Sequence, residues 1–296
     1  MLPCLDPSTR GLLSKKVRRG LRGLSFRSLA VAVPVLFLAS LLPAQTLETL
    51  ARAYREKPSA AKQAALLHFA AAHPRDLEGA LALLAAGVTE AEQGSYADAA
   101  RHLAAAKARL PQLGDYVSFY LGSARSGAKD FSAAAAELEL VGGSSPASPL
   151  AAKASLLAAQ ARLNAGDAVE AVRILKDRYA QLPQPGGALA LAAGYEGTGE
   201  PLMAVDYYQR VYYNFPDKPQ AAEAATALDR LRQQVGSSYP PPMPRDMLVR
   251  AQKWLDAGDH SRARTEFESL TALLAGAERE QAQVGVGVAD YLAGQT

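Results

Sequence analysis

Small and large apolar residues recur along this chain at a spacing typical of paired amphipathic helices. In the first clear copy, Gly94-Ser-Tyr96 leads to Ala99, a large apolar residue follows at Leu103, and Pro111 lies twelve positions after Ala99. Residues four apart share one face of a helix, so Ala99 and Leu103 are predicted to face the same neighbouring helix. Glycine suits the positive φ of a turn between helices, and proline cannot continue a helix.

The same unit occurs five times. The later turns are Lys129-Asp-Phe131, Gly166-Asp-Ala168, Gly199-Glu-Pro201 and Gly258-Asp-His260. We call the alanine three residues after the last residue of each turn the anchor: Ala99, Ala134, Ala171, Ala204 and Ala263. The contact position, twelve residues earlier, is always Gly or Ala: Gly87, Gly122, Ala159, Ala192 and Ala251. The filling position, four residues after the anchor, is always large: Leu103, Leu138, Leu175, Tyr208 and Phe267. Twelve residues after the anchor come Pro111, Pro146, Pro183 and Pro216, with Ala275 in the fifth copy.

The spacing of the anchors predicts the fold class. The first four anchors lie 35, 37 and 33 residues apart, and a period near 34 is typical of tetratricopeptide helix-turn-helix repeats. We therefore expect an all-α protein, a right-handed α-solenoid of about six helix pairs. The contact positions should let helices touch, and the filling residues should occupy the space between repeats.

Helices are also predicted outside the repeated unit. Residues 46–56 and 59–72 form a first pair, with Ser59 as the N-cap of its second helix. Asp76 is expected to cap the next helix, which runs to about Gln93.

The array is expected to have an interruption and an unfinished repeat. Residues 219–235 form an extra helix, and the proline-rich residues 237–244 form a stiff spacer. Residues 278–292 resemble the first helix of another repeat, with Gly287 at its contact position. The next anchor would then fall near position 299, beyond the last residue of the sequence. We therefore expect this chain to be a piece of a longer protein. The expected domains are 1–44 (secretory signal), 45–216 (repeats), 217–244 (extra helix and spacer) and 245–296 (one repeat and an incomplete one).

The first 44 residues have the organisation of an export signal. Residues 10–27 are basic, residues 28–42 carry no charge, and cleavage is expected after Ala44, which would place the protein in the periplasm or cell envelope. The alternative is that the segment stays uncleaved and anchors the protein, and only in that case do we expect contact with a membrane. The apolar run contains Pro34, however, and is shorter than the roughly 20 residues that span a bilayer. Arg18-Arg19 also leaves twin-arginine export open.

The charge distribution excludes one class of partner. The chain has 32 basic and 29 acidic residues. Residues 1–44 contain seven of the basic residues and only one of the acidic residues. The remaining chain therefore has 25 basic and 28 acidic residues, a net charge of −3. Nucleic-acid binding would need a basic folded part, so we expect none. The single cysteine, Cys4, precedes the expected cleavage point, so no disulfide is expected in the mature chain.

The sequence shows no pattern typical of a catalytic site. It lacks the HExxH, GxxxxGK[ST] and GxSxG motifs, and we expect no catalytic residue, metal or cofactor. The four histidines, which form no metal-ligand set with carboxylates, are His68, His73, His102 and His260. The closely spaced carboxylates, which are interpreted as solvated, are Glu90, Glu92, Glu137 and Glu139.

Residues 206–215 and one upstream tyrosine form the best candidate site. The candidate binding residues are Tyr195, Tyr207, Tyr208, Tyr212 and Tyr213. One interpretation is packing between repeats, with phenol groups at the rim. The other is a surface that stacks on a ligand or binds a partner.

Four segments carry a resemblance to a known family. They are Leu113-Gly-Asp-Tyr-Val-Ser-Phe-Tyr-Leu121, Ser148-Pro-Leu-Ala-Ala152, Val211-Tyr-Tyr-Asn-Phe-Pro216 and Ala275-Gly-Ala-Glu-Arg-Glu280. From Thr46 onward the chain resembles the helical N-terminal part of bacterial soluble lytic transglycosylases. In that family a lysozyme-like domain further on, with a catalytic glutamate followed by serine, cleaves peptidoglycan. No lysozyme-like segment fits within this chain, so the resemblance implies a scaffold near peptidoglycan and carries over no catalytic residue.

Two functions follow as expectations. The first is an exported scaffold of a lytic-transglycosylase-like protein that binds peptidoglycan glycan strands or envelope proteins. The alternative is a free-standing periplasmic adaptor for envelope or cell-division machinery. An enzyme would require a catalytic domain downstream.

Overall fold

The computed structural model describes residues 46–294, and within them the fold is all-α, as expected. These residues form fourteen α-helices and no β-strand. The helices are α1 (Leu47–Glu56), α2 (Ala60–Ala72), α3 (Leu77–Glu92), α4 (Tyr96–Lys107), α5 (Gly114–Gly127), α6 (Phe131–Gly142), α7 (Ala151–Asn164), α8 (Ala168–Arg178), α9 (Gly186–Gly197), α10 (Pro201–Asn214), α11 (Pro219–Val235), α12 (Pro244–Asp256), α13 (His260–Leu273) and α14 (Gly276–Leu292). The predictions on residues 1–44 lie outside the described range. None of the described helices is long and apolar enough to cross a membrane.

The helices pack on their neighbours along the chain. From α1 to α10 each helix contacts the next one, and the odd-numbered helices α1, α3, α5, α7 and α9 also contact each other in series. Each second helix therefore lies against the first helix of its own pair and that of the following pair. This arrangement builds several local cores instead of one central core.

The repeated positions are the buried positions of this packing. All five anchors are fully buried, and so are the five contact and five filling positions, apart from traces of exposure at Tyr208 and Phe267. A Cβ placed on Gly87 would lie 2.6 Å from Leu103 Cγ and 3.1 Å from the Ala99 carbonyl oxygen. The second copy repeats these distances at Gly122. The contact position is therefore small because the backbone of the facing helix passes directly over it.

Filling residues also contact the next repeat, as the spacing predicted. The ring of Phe267 on α13 lies 2.6 Å from where a Cβ on Gly285 of α14 would be. Tyr96, at the start of α4, makes a similar close approach to Gly127 of α5. Small residues thus allow close contact both within and between helix pairs.

The turns between paired helices have the left-handed backbone that the glycines predicted. The φ angle is +80° at Gly94, and it differs by no more than 2° at Gly166, Gly199 and Gly258. In the second copy a lysine stands at this position, and Lys129 has a φ of +64°. A non-glycine residue in this region is strained because its Cβ approaches the following carbonyl.

The extra helix has the predicted bounds and a position of its own. Helix α11 packs on α10 and touches α9, as the first helix of a further pair would. Helix α12 also contacts α10, and α12, α13 and α14 then pack on one another. Residues 239–243 between α11 and α12 carry no regular structure.

Helix starts confirm one predicted cap and correct another. Ser59 caps α2, because its side chain accepts a hydrogen bond from the Lys62 amide. Asp76 is at the N-cap of α3, but its side chain makes no capping bond. Its carboxylate lies 3.0 Å from Nδ1 of His73 instead. A nearby imidazole competes with the backbone for the same oxygens, which the spacing alone could not reveal.

Adding one methyl group at the contact position should destabilise the fold. We expect Gly87→Ala to lower the free energy of unfolding by about 1–2 kcal/mol, because overpacking outweighs the gain in helix propensity. Gly287→Ala is the matched control, since nothing lies within 4 Å of its Cβ. In dilute solution it should stabilise by up to about 1 kcal/mol. Urea unfolding measures both, and equal effects would contradict the packing argument.

Relieving the strained turn should stabilise the protein. Lys129 is exposed, so Lys129→Gly removes no packing and is expected to add about 0.5–1 kcal/mol to the free energy of unfolding. Lys129→Ala should leave stability nearly unchanged because alanine keeps the Cβ. If Lys129→Ala raised the melting temperature as much as Lys129→Gly, the lysine charge and not the backbone strain would be the cause.

Candidate functional site

Helix α10 carries four of the five candidate tyrosines. It begins at Pro201, whose missing amide proton costs nothing in the first helical turn, and Pro216 follows its end. Its buried stripe comprises Ala204, Val205, Tyr208 and Val211. The remaining tyrosines therefore lie on the flanks of the helix, where they meet different neighbours.

Tyr207 belongs to an aromatic cluster formed by three successive elements. Its ring stacks on Tyr195 of α9 at 5.6 Å between centroids and meets the edge of Tyr179 at 5.4 Å. Tyr195 is buried, whereas Tyr179 and Tyr207 are half-buried. Burial raises the pKa of the Tyr207 phenol.

A groove opens beside this cluster, and we call it the α10 groove. The guanidinium of Arg210 lies 4.6 Å from the Tyr207 ring centroid and pairs with Asp206 at 2.8 Å. The groove has a volume of about 510 Å³. It is lined mainly by Tyr179, Gln184, Arg210, Asn214, Phe215 and Lys253. Tyr207 supports the groove from behind, because it holds the ring of Tyr179 and the side chain of Arg210.

Tyr208 lies in the core and is separate from this groove. It is 5% exposed, and burial raises its pKa, with a hydrogen bond to Glu196 acting in the same direction. Tyr195 and Tyr208 therefore cannot touch a ligand without repacking of the core.

Tyr212 and Tyr213 face the other flank, towards α12. Their rings meet edge to face at 5.0 Å, and the Arg250 guanidinium lies 3.8 Å from the Tyr212 centroid. Arg250 also donates to the Tyr212 carbonyl at 3.1 Å and to Glu266 at 2.9 Å. Burial raises the pKa of Tyr213 to about 12. This cluster connects α10 to α12 and α13, which follow the inserted α11 in the chain, and it borders a groove of about 230 Å³.

The structure thus separates the five predicted residues into three environments. Tyr195 and Tyr207 stack on each other, Tyr212 and Tyr213 contact each other, and Tyr208 lies apart in the core. The groove residues Tyr179, Arg210 and Lys253 were not singled out from the sequence. Arg210 and Phe215 lie within the aromatic segment and could have been found there, whereas Tyr179 and Lys253 come from distant helices.

A second regularity was present in the sequence and escaped notice. The residues nine before and three after an anchor form a cross-helix pair in four of the five copies. The pairs are Glu90 with His102 (2.7 Å), Arg125 with Glu137 (3.6 Å), Tyr195 with Tyr207 (5.6 Å between rings) and Trp254 with Glu266 (3.1 Å). In the third copy the partner position is Ile174, and Arg162 binds Glu139 of the preceding repeat instead. The spacing of twelve residues could have identified these pairs.

The interpretation of Glu90 as a solvated carboxylate is wrong. Its residue exposure is 0%, and it accepts a hydrogen bond from Gln63 Nε2 at 2.7 Å. Nδ1 of His102 lies at the same distance from its second oxygen. Glu137 is also largely covered, by Lys107 and Arg125. Partners on three helices meet these carboxylates, and their pairing offsets the cost of burial.

The described residues hold no cluster typical of a metal site. Among residues 46–294, no three His, Cys, Asp or Glu side chains lie close enough to hold a metal ion. The chemistry that the α10 groove offers is aromatic stacking, two cationic groups and amide hydrogen bonds. Such a lining suits non-covalent binding of a polar or anionic ligand.

No protein-family model matches this sequence, and no curated protein matches it significantly.

Arg250 should be a structural link between α10 and α12. We expect Arg250→Ala to lower the free energy of unfolding by about 2–3 kcal/mol, because a half-buried Glu266 loses its charged partner and Tyr212 loses its cation. Arg173→Ala is the control, since Arg173 makes its two ion pairs at the exposed surface and should cost less than about 1 kcal/mol. Equal losses in urea unfolding would overturn the assignment.

Proposed function

We propose that residues 46–294 form a right-handed α-solenoid of tetratricopeptide-type repeats that serves as a non-catalytic binding scaffold in the bacterial envelope. The support is the period of the anchors, their complete burial, and the serial contact between alternate helices. An array of this kind exposes an extended surface and has no need of a deep active site.

We further propose that the scaffold acts in peptidoglycan turnover and binds glycan strands. The resemblance to the helical part of lytic transglycosylases supports this role. Residues 114–121 of that resemblance lie on α5, and segment 211–216 lies at the end of α10, beside the α10 groove.

The observation that carries the proposal is the change of the cross-helix pair in the fourth copy. Three other copies use a charged residue at this pair, whereas the fourth uses Tyr195 and Tyr207. The two rings hold Tyr179 and Arg210 at the edge of the α10 groove, and Lys253 completes it from α12. Aromatic faces stack on sugar rings, and the cations suit the carboxylates of the peptide stems.

Co-sedimentation with purified peptidoglycan sacculi tests this function. We expect the double variant Tyr179→Ala, Lys253→Glu to bind about fivefold to thirtyfold more weakly, since each of the two lost contacts is worth about 0.5–1 kcal/mol. The matched control is Tyr116→Ala, Lys129→Glu, which changes an exposed tyrosine and an exposed lysine elsewhere.

Circular dichroism melts separate binding from folding in both variants. Weaker sedimentation in the first variant alone, with similar melting temperatures, supports the proposal. Sedimentation that is absent in the unmodified chain, or equal in both variants, would contradict glycan binding at this groove.

A further inference from the structure

Helix α14 presents an apolar stripe that nothing in the described residues covers. It packs on α13 through Ala282, Gly285 and Ala289, which are buried. On another side, Val284, Val288, Tyr291 and Leu292 are 67, 40, 72 and 49% exposed. Positions 284, 288 and 291 follow the spacing of one helical face, so the stripe is continuous over two turns.

No other helix within residues 46–294 exposes so many large apolar side chains. Elsewhere they occur singly or in pairs, as at Leu140 of α6 and Val169 of α8. The stripe also lacks free charge: between residues 281 and 292 the one ionisable side chain besides Tyr291 is Asp290, which Arg264 binds at 2.6 Å. Contiguous apolar surface of this kind marks a site of protein association.

Gly287 lies within this stripe and leaves a hollow in it. It corresponds to the contact position, where the five complete copies each place a second helix against a Gly or Ala. A Cβ on Gly287, in contrast, would have no atom within 4 Å. The surface therefore has the shape that this chain uses elsewhere to receive a helix.

We propose that the α14 stripe is an interface between two copies of this chain, in which the two α14 helices pack antiparallel about a twofold axis. An antiparallel register centred between residues 287 and 288 places Val288 of one copy over Gly287 of the other. The same register places Tyr291 against the partner's Val284. The hollow at Gly287 and the projecting Val288 thus lie on the same stripe, and each fits the other in the second copy, as a twofold contact requires.

The surroundings of the stripe favour a second copy over an unlike partner. The absence of unpaired charge removes the repulsion that would oppose contact between identical faces. The charged residues Glu278, Arg279 and Glu280 lie in the first turns of α14, about two helical turns or more from Gly287 at the centre of the contact. At the other end of the described range, α1 and α2 expose no comparable stripe, so a head-to-tail contact with α14 finds no matching face.

The size of the contact sets its strength. One helix from each copy buries less than the roughly 800 Å² per partner of a standard stable interface. We therefore expect a reversible dimer with a dissociation constant on the order of 10 μM rather than an obligate one.

Sedimentation equilibrium of the full chain between about 1 and 200 μM tests the proposal. The expected result is a rise from the monomer mass of 31.2 kDa towards twice that value. Val288→Glu should weaken dimerisation at least tenfold, because two buried carboxylates would meet at the axis. Gly287→Leu should do the same without added charge, because it fills the hollow.

Val169→Glu is the matched control, since Val169 is 73% exposed on α8, and its dimerisation should match that of the unmodified chain. Circular dichroism melts confirm that each variant folds. If the chain is a monomer at every concentration, the proposal is overturned, and the α14 stripe then binds a different protein or another segment of the chain. Association that persists in both α14 variants overturns it as well, because the contact must then lie elsewhere.

Discussion

The close approach of two helix backbones at each contact position is the constraint on which the rest of this structure depends. Gly87 and Gly122 lie so near the facing carbonyl and leucine that a single methyl group would collide. This approach sets the distance between paired helices. Once that distance is set, the anchor and the filling residue fall on the same buried face. Repeating the constraint along the chain produces local cores that each depend only on their neighbours.

The same constraint explains where chemistry can appear. Because paired helices are held in one register, the residues nine before and three after an anchor meet across the pair in four of the five copies. The chemistry of that pair differs between copies: the chain contains a buried Glu90–His102 pair, an ion pair, a tyrosine stack and a Trp254–Glu266 hydrogen bond. Different kinds of side-chain pair thus occupy structurally equivalent positions, beside the small anchor and contact residues. The α10 groove and the Arg250 cluster both arise from such variation.

Much of the fold could be predicted because its determinants are local. Helix α11 has the predicted bounds, Ser59 caps α2, and the turn glycines adopt positive φ. The site was predicted less well. The burial of Tyr195 and Tyr208 fits the packing interpretation of these residues, whereas Glu90 is not solvated and Asp76 binds His73 instead of its helix. Each of these errors concerns a side chain whose partner comes from another helix or from an adjoining loop.

The sequence by itself determined the all-α class, the repeat and the positions of close helix contact, because helical periodicity and the steric demands of glycine, alanine and proline act over a few residues. Outside the twelve-residue pairs, only the tertiary structure decided which polar and aromatic side chains meet. It brought Tyr179 and Lys253 to one groove, joined Arg250 to Glu266 and Tyr212, and left the α14 stripe uncovered. Those outcomes depend on distances between helices far apart in sequence, and no local spacing encodes them.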